Sequence, residues 1–526
     1  MKPASSQRIR SLLVANRGEI AIRVMRAASE LGLRTVAVYS HEDRFSLHRT
    51  KADEAYLVGR DKGPVEAYLD ITDILRIASE ARVDAIHPGY GFLAENPEFA
   101  QACAAAGMIF VGPAPETLRL LGNKVSAREL AVSAGVAVMP ATPPLPKDPA
   151  ACVQLAQGVG YPLMLKASWG GGGRGMRVVE SAAQLAELVP LARREAHAAF
   201  GNDEVYLEKL VRRARHVEVQ ILGDEHGTLV HLYERDCTVQ RRNQKVVERA
   251  PAVFLDEPQR QELCAAGLSI GRAAAYRNAG TVEFLQDADS GRFYFIEVNP
   301  RIQVEHTVTE CATGVDLVKA QIRIAGGARI GTPESGVPPQ EQIRISAHAL
   351  QCRITTEDPE NNFIPDYGKI SAYRSPAGFG VRLDAGTAYT GAIITRSYDS
   401  LLVKVTTWSP TAEETIARMH RVLWEFRIRG VLTNLRFLDQ LITHPRFAHG
   451  EYTTRFIEET PELLQSPRKR DRASRILSFI GSTIVNGNAE TRSRAHPGSF
   501  ASVRLPPGPL PPPAPGTKQK LAELGP

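Results

Sequence analysis

The chain has 526 residues, 43% of them apolar and 23% charged, the make-up of an ordinary globular protein with room for three or four domains. No stretch approaches the ~18 uninterrupted apolar residues of a membrane span, and MKPASSQRIR is too short for a secretory or organellar leader, so a cytoplasmic enzyme is expected. The net charge of +6 is uneven: residues 467–526 hold ten Lys/Arg and three Asp/Glu, and the rest carries a net charge of −1. That balance gives the body no nucleic-acid face. The six cysteines (Cys103, Cys152, Cys237, Cys264, Cys311, Cys352) contain no CxxC pair, and so form neither a disulfide framework nor a zinc site.

In chain order, a strand at Leu12–Ala15 leads through Asn16-Arg17-Gly18 into a helix, and strands follow at Thr35–Tyr39, Ala85–His87 and Met108–Val111. Alternation of strands with helix-like segments predicts an open parallel sheet over about 1–120. From about 125 to 325 the pattern is strands joined by short turns with flanking helices, an α+β arrangement. A β-rich region over about 340–452 includes Ala347–Ile354, Val381–Leu383 and Leu401–Val405, with an amphipathic helix near 411–425. The segment 471–488 begins as an amphipathic helix. Nine of the last thirty residues are proline, which reads as an extended or disordered linker.

Three nucleotide fingerprints compete. GxxxxGK[ST] is absent, and Gly89–Ala94 fits GxGxxG/A but is followed by a strand that ends in Gly112-Pro113 rather than the required acid. Gly170–Gly175, five glycines in six residues, lies between the strand-like runs Tyr161–Ala167 and Met176–Glu180. It is therefore a hairpin loop, and so much glycine costs folding entropy unless the backbone must approach something closely. Amides cradling phosphates meet that requirement, with Lys166 just upstream.

In IEVNPRIQVE, 296–305, every odd position is polar and every even one apolar or proline. Extended chain places Glu297, Asn299, Arg301, Gln303 and Glu305 on one face, either solvated or an active-site face. The turn Asp287–Gly291 sets Glu283 opposite Glu297. Like charges so placed are destabilising unless a divalent cation reverses the sign, and with Asn299 they make an oxygen set suited to Mg²⁺. Gln240–Lys245 is either a solvated basic run or part of the site, and Arg353 is free to pair with the acids of TTEDP that follow it.

Taken together, NRGEIAIR, HPGYGFLAEN, GGGGRGMR, ERDCTVQRRNQKVVERAP, FIEVNPRIQVEHTVTE and CRITTEDP resemble, in order and spacing, the biotin carboxylase component of biotin-dependent carboxylases, over about residues 8–455. NNFIPDYGKI, RSYDSLLVKV and FRIRGVLTNLRFL resemble its pyruvate carboxylase branch, as does the tail. The resemblance implies an α/β and α+β multidomain chain. Its parts would be a Rossmann-like domain (1–122), an ATP-grasp domain (123–330), a β-rich C-terminal biotin carboxylase domain (340–455), the start of a linker or allosteric region (456–490) and a disordered Pro-rich linker (491–526). It implies ATP, Mg²⁺ or Mn²⁺, bicarbonate and biotin as substrates or cofactors. Because the sequence contains no Ala-Met-Lys-Met stretch, biotin is expected as a free substrate. The biotin carrier and carboxyltransferase domains are then expected as partners within a longer, homo-oligomeric enzyme. The alternatives are a stand-alone subunit of an acyl-CoA carboxylase and a non-catalytic regulatory fragment.

The resemblance also implies roles. Lys124, Lys166 and the loop with Gly171, Gly172 and Gly173 would hold ATP phosphates. Glu208 with the Lys209 backbone would read adenine, and His216 and Gln240 would sit near ribose and phosphate. Asn243, which stands where many members of the family have His, would belong to the same cofactor-binding set, donating a hydrogen bond without carrying charge. Glu283, Glu297 and Asn299 would carry the metal, Lys245 and Arg301 would bind bicarbonate, Glu305 would deprotonate it, and Arg353 would stabilise the biotin enolate. Arg427, Arg429 and Arg472 are expected to form part of a site for acetyl-CoA.

Overall fold

A computed structural model of the chain describes residues 9–168, 176–465 and 472–486. The N-terminal part is a five-stranded parallel sheet in the order Glu54–Leu57, Arg34–Tyr39, Ser11–Val14, Ala85–His87, Ile109–Phe110. The central strand is buried along its whole length, as expected of a parallel sheet covered on both faces. The helix Gly18–Glu30 buries Ile20, Ala21, Val24, Met25, Ala27 and Ala28 against it. Gly89 and Gly91 both take positive φ in the loop here, and Gly89 also serves its packing. A Cβ on Gly89 would meet the Asn16 Nδ2 atom at 2.9 Å, and that amide donates to Pro88 O at 2.6 Å and Tyr90 O at 2.8 Å. The loop is thereby tied to the end of the first strand, where the strand order reverses.

The two strands flanking the glycine-rich loop, Leu163–Ala167 and Arg177–Val179, pair antiparallel in a three-stranded sheet with Val205–Lys209. The loop itself, with Gly171, Gly172 and Gly173, lies outside the described residues. The largest sheet has eight strands, antiparallel throughout, in the order Phe293–Asn299, Asn278–Asp287, Ala214–Gly223, Leu229–Arg241, Gln244–Ala250, His348–Thr355, Leu401–Ser409, Val381–Ala385. It runs unbroken from the central region into the β-rich one, so residues more than a hundred positions apart share one face.

One expectation is corrected. The extended segment 296–305 stops at Asn299: Pro300 has no N–H to give a ladder, and the chain turns into the helix His306–Thr313 with Glu305 at its N-cap. The helix Ala412–Glu425 and the short strand Arg427–Arg429, paired with Ala372–Arg374, complete this body. A second unit contains the helix Arg472–Asn486, on which Ile476, Leu477, Phe479, Ile480, Ile484 and Val485 are exposed. No helix among the described residues is long and apolar enough to cross a membrane. All six cysteines are free thiols.

Candidate active site

The central feature is a row of side chains in direct cross-strand register. Glu297 stands opposite Glu283, Glu283 opposite Glu218, and Glu218 opposite Arg235. Opposed residues on a sheet face are ~5 Å apart, and three carboxylates in line repel one another. Lys245, from the adjoining strand, offsets this. Its Nζ lies 2.5 Å from Glu218 Oε2, 2.9 Å from Glu283 Oε1 and 2.6 Å from Glu305 Oε1, so each ammonium hydrogen has its own carboxylate. Burial opposes a charged amine there, but the three acids outweigh it and hold the Lys245 pKa well above the usual lysine range. For Glu283, burial works against ionisation, yet Lys245 and His216 keep the carboxyl well below its ordinary value. His216 Nε2 lies 2.9 Å from Glu283 Oε2, and its Nδ1 lies 2.9 Å from Gln240 Nε2.

The turn after Pro300 brings its polar residues back to the same place. Asn299 Nδ2 donates to Glu283 Oε1 at 2.8 Å, and Gln303 Nε2 donates to the same oxygen at 2.8 Å. Arg301 donates from Nη2 to Asn299 Oδ1 at 2.9 Å, and its Nε lies 3.2 Å from Glu95 Oε1 of the N-terminal part. Glu305 gives its second oxygen to Arg353 Nη2 at 3.1 Å. Arg353 also donates from Nε to Glu248 Oε1 at 2.6 Å; it pairs with these two glutamates, and not with the acids that follow it in sequence. Burial dominates at Glu248 and raises its pKa despite Arg353. At Glu305 burial is overcome by Lys245, Arg353 and Arg235, which hold the carboxyl well below the usual range.

A neighbouring cluster gathers Lys124, Lys166 and Glu208. Lys124 Nζ is 3.6 Å from Glu297 Oε2. Lys166 is ion-paired with Glu208, which also faces Arg128 Nη1 at 3.7 Å. The Lys209 ammonium donates to Gly160 O and Tyr161 O, at 2.9 and 2.8 Å, and its amide N–H is taken by Pro140 O. Arg242 and Asn243 form the exposed two-residue tip of the hairpin joining Leu229–Arg241 to Gln244–Ala250, both with positive φ (+49° and +63°). Asn tolerates that conformation, a reason for Asn243 that concerns only the backbone.

Sequence reasoning missed Glu218, Arg235 and Glu248. Glu218 carried a usable signal: His216, Glu218 and Gln220 alternate with Val217, Val219 and Ile221, the same period of two that singled out Glu297. Arg235 and Glu248 lie within the motif ERDCTVQRRNQKVVERAP, but no local pattern names their partners, which lie on other segments.

Comparison with known proteins follows this geometry. The model of the biotin carboxylase N-terminal domain matches residues 8–118, that of the carbamoyl-phosphate synthase L chain ATP-binding domain residues 123–332, and that of the biotin carboxylase C-terminal domain residues 351–459. The biotin carboxylase domain of Hydrogenobacter thermophilus 2-oxoglutarate carboxylase, solved with MgADP, ADP and bicarbonate, is 43% identical. It superposes with a TM-score of 0.83 over 87% of this chain and 99% of that one. The chain belongs to the biotin carboxylase family. These are ATP-grasp enzymes that carboxylate biotin at the expense of ATP. Among biotin carboxylase relatives of greater length, Bacillus subtilis pyruvate carboxylase is 52% identical over 521 residues, 99% of this chain and 45% of that protein. Rhizobium etli pyruvate carboxylase, solved with the allosteric activator acetyl coenzyme-A, is 62% identical with a TM-score of 0.85, covering 98% of this chain and 46% of that one. The chain thus spans about half the length of these relatives.

Proposed function

We propose that this chain catalyses the first half-reaction of a pyruvate carboxylase, the ATP- and bicarbonate-dependent carboxylation of biotin through carboxyphosphate. The observation that carries it is the meeting of Lys245, Glu305 and Arg353 beside the Glu283–Glu297 pair. Two cations and a buried carboxylate then lie where an oxyanion can be held and deprotonated.

Bicarbonate enters between Lys245 and Arg301, and Glu305 takes its proton, since bicarbonate is a poor nucleophile until that proton leaves. The freed oxygen attacks the terminal phosphorus of ATP and ADP leaves. Lys124 and Lys166, with the loop carrying Gly171, Gly172 and Gly173, bind the phosphates. Glu208 and the Lys209 backbone address adenine, with His216 and Gln240 toward the ribose; Asn243 is assigned to the hairpin turn. Two carboxylates in direct register suit a hard divalent cation, so Glu283 and Glu297 would hold Mg²⁺, and Asn299, whose oxygen here accepts from Arg301 Nη2, would join them on releasing that bond. Bound there, Mg²⁺ neutralises phosphate charge. Carboxyphosphate splits into CO₂ and phosphate, the phosphate takes the N1′ proton of biotin, Arg353 stabilises the resulting enolate oxyanion of the ureido ring, and N1′ attacks the CO₂.

The relatives' lengths support a carrier domain and a carboxyltransferase as the partners of this activity, in a homo-oligomer. Unpaired thiols fit a reducing cytoplasm. Arg427 and Arg429, exposed on their short strand, are proposed to meet the phosphates of acetyl-CoA; the side chain of Arg472 lies outside the described residues. Arg427→Ser in the longer protein should raise the concentration needed for half-activation.

The deciding experiment is ATP cleavage by the purified 526-residue chain. It should require Mg²⁺ and bicarbonate, be stimulated by free biotin, and yield no oxaloacetate from pyruvate. ATP cleavage indifferent to bicarbonate rejects the reading.

A further inference from the structure

Arg235 lies on the strand Leu229–Arg241, at the end of the carboxylate row, and its side chain is wholly buried. A guanidinium has five N–H donors, and all five are matched. Nε donates to Glu218 Oε1 at 2.6 Å. Nη1 donates to Gln220 Oε1 at 2.7 Å and Thr309 Oγ1 at 3.1 Å. Nη2 donates to Thr281 Oγ1 at 3.0 Å and Gln303 Oε1 at 2.6 Å.

Two of these contacts decide what the reacting face presents. With its oxygen held by Arg235, the Gln303 amide must turn its nitrogen outward, and that nitrogen donates to Glu283 Oε1 at 2.8 Å. With Oε1 held by Arg235, Glu218 has only Oε2 left for Lys245. The ammonium keeps one hydrogen on Glu218 and has the other two for Glu283 and Glu305. A Glu218 relieved of Arg235 would be a buried carboxylate short of a cation, and both its oxygens would compete for Lys245. Of the five groups that Arg235 touches, only Glu218 is charged. The four neutral partners therefore add direction, which a planar fork supplies and a lysine ammonium does not.

We propose that Arg235 is a positioning residue for bicarbonate activation, acting at second hand: it fixes Glu218 and Gln303 in single orientations and so delivers Lys245 to Glu305. The proposal rests on the roles assigned above to Lys245 and Glu305.

The test uses the 526-residue chain with Arg235→Lys, Gln303→Leu and the double substitution, assayed for bicarbonate-dependent ATP cleavage with free biotin. Arg235→Lys is expected to lower kcat by about tenfold or more and raise the bicarbonate KM about fivefold or more, with the KM for MgATP moving less than about threefold, the scale of loss found for misplaced catalytic groups. Because Arg235 acts partly through Gln303, the double variant should lose much less than the product of the two single losses. Parallel rises in both KM values, an unchanged bicarbonate KM, or fully multiplicative losses would overturn it. If Arg235→Lys does not fold, Gln303→Leu alone must show the bicarbonate-specific split, and an equal effect on both substrates overturns the proposal. An unsubstituted chain without bicarbonate dependence would instead bring down the functional reading itself, and this proposal with it.

Discussion

Lys245 Nζ lies 2.6 Å from Glu305 Oε1, while the other oxygen of that carboxylate faces Arg353. A buried acid would ordinarily hold its proton, but two flanking cations reverse this and keep Glu305 ionised. The same pairing restrains it in its proposed role as a base, since efficient proton transfer wants a pKa nearer the working pH. An anion arriving beside Lys245 competes for the ammonium hydrogens. Glu305 then loses part of its stabilisation and gains proton affinity when the substrate is in place.

Replacing Glu305 with Gln keeps the shape and removes the base. Bicarbonate-dependent ATP cleavage should fall by ~10²–10⁴-fold, the usual worth of a general base, with nucleotide binding retained in equilibrium titrations. Near-wild-type turnover would take Glu305 out of the mechanism.

Glu297→Gln tests the carboxylate pair. Removing one of two like charges in direct register relieves repulsion, so the melting temperature should hold or rise. At the same time the Mg²⁺ concentration giving half-maximal ATP cleavage should rise by about tenfold, and chelation should silence both proteins. An unaltered Mg²⁺ requirement assigns the metal to other ligands.

Four buried histidines make stability depend on pH. His48, His87 and His231 are pushed down to about 4 and His306 to about 3, in each case chiefly by burial. Unfolded, each titrates near the ordinary imidazole value of about 6.5. Between these values the unfolded chain binds more protons than the folded one, so stability falls as pH drops below about 6.5, by up to roughly 5 kcal/mol per pH unit for four sites. Calorimetric midpoints from pH 7.5 to 5 should therefore decline. In His87→Asn, whose amide oxygen replaces the acceptor of the Gly89 N–H, the decline should be shallower by about one proton's worth. A flat profile in the unsubstituted chain would mean that these rings protonate in place.

Asn243 separates a turn from a contact. Asn243→Gly suits the positive φ and should leave the melting temperature and the ATP KM nearly unchanged. Asn243→Val should destabilise the chain by about 1–2 kcal/mol, the cost of left-handed backbone in a residue with a branched Cβ. A tenfold rise in the ATP KM for the glycine variant would show that the amide touches nucleotide.

Local pattern alone was enough to place the parallel sheet, the hairpin around the glycine-rich loop and the Glu283–Glu297 pairing, because strand period and turn position are properties of adjacent residues. It was enough, too, for the family, carried by short motifs in a set order. The same reasoning ran Ile296–Glu305 on as one strand, since polar and apolar residues go on alternating through it. Only the tertiary structure ends that strand at Asn299 and brings Glu305 back at a helix N-cap. Lys245 meeting Glu218, Glu283 and Glu305, Arg353 choosing Glu248 and Glu305, and Arg235 behind them all depend on which strands lie side by side in the eight-stranded sheet. That order is set by packing between segments distant in sequence, 105 residues apart for Arg353 and Glu248, and a charged side chain's partner is decided by whichever carboxylate shares its buried face.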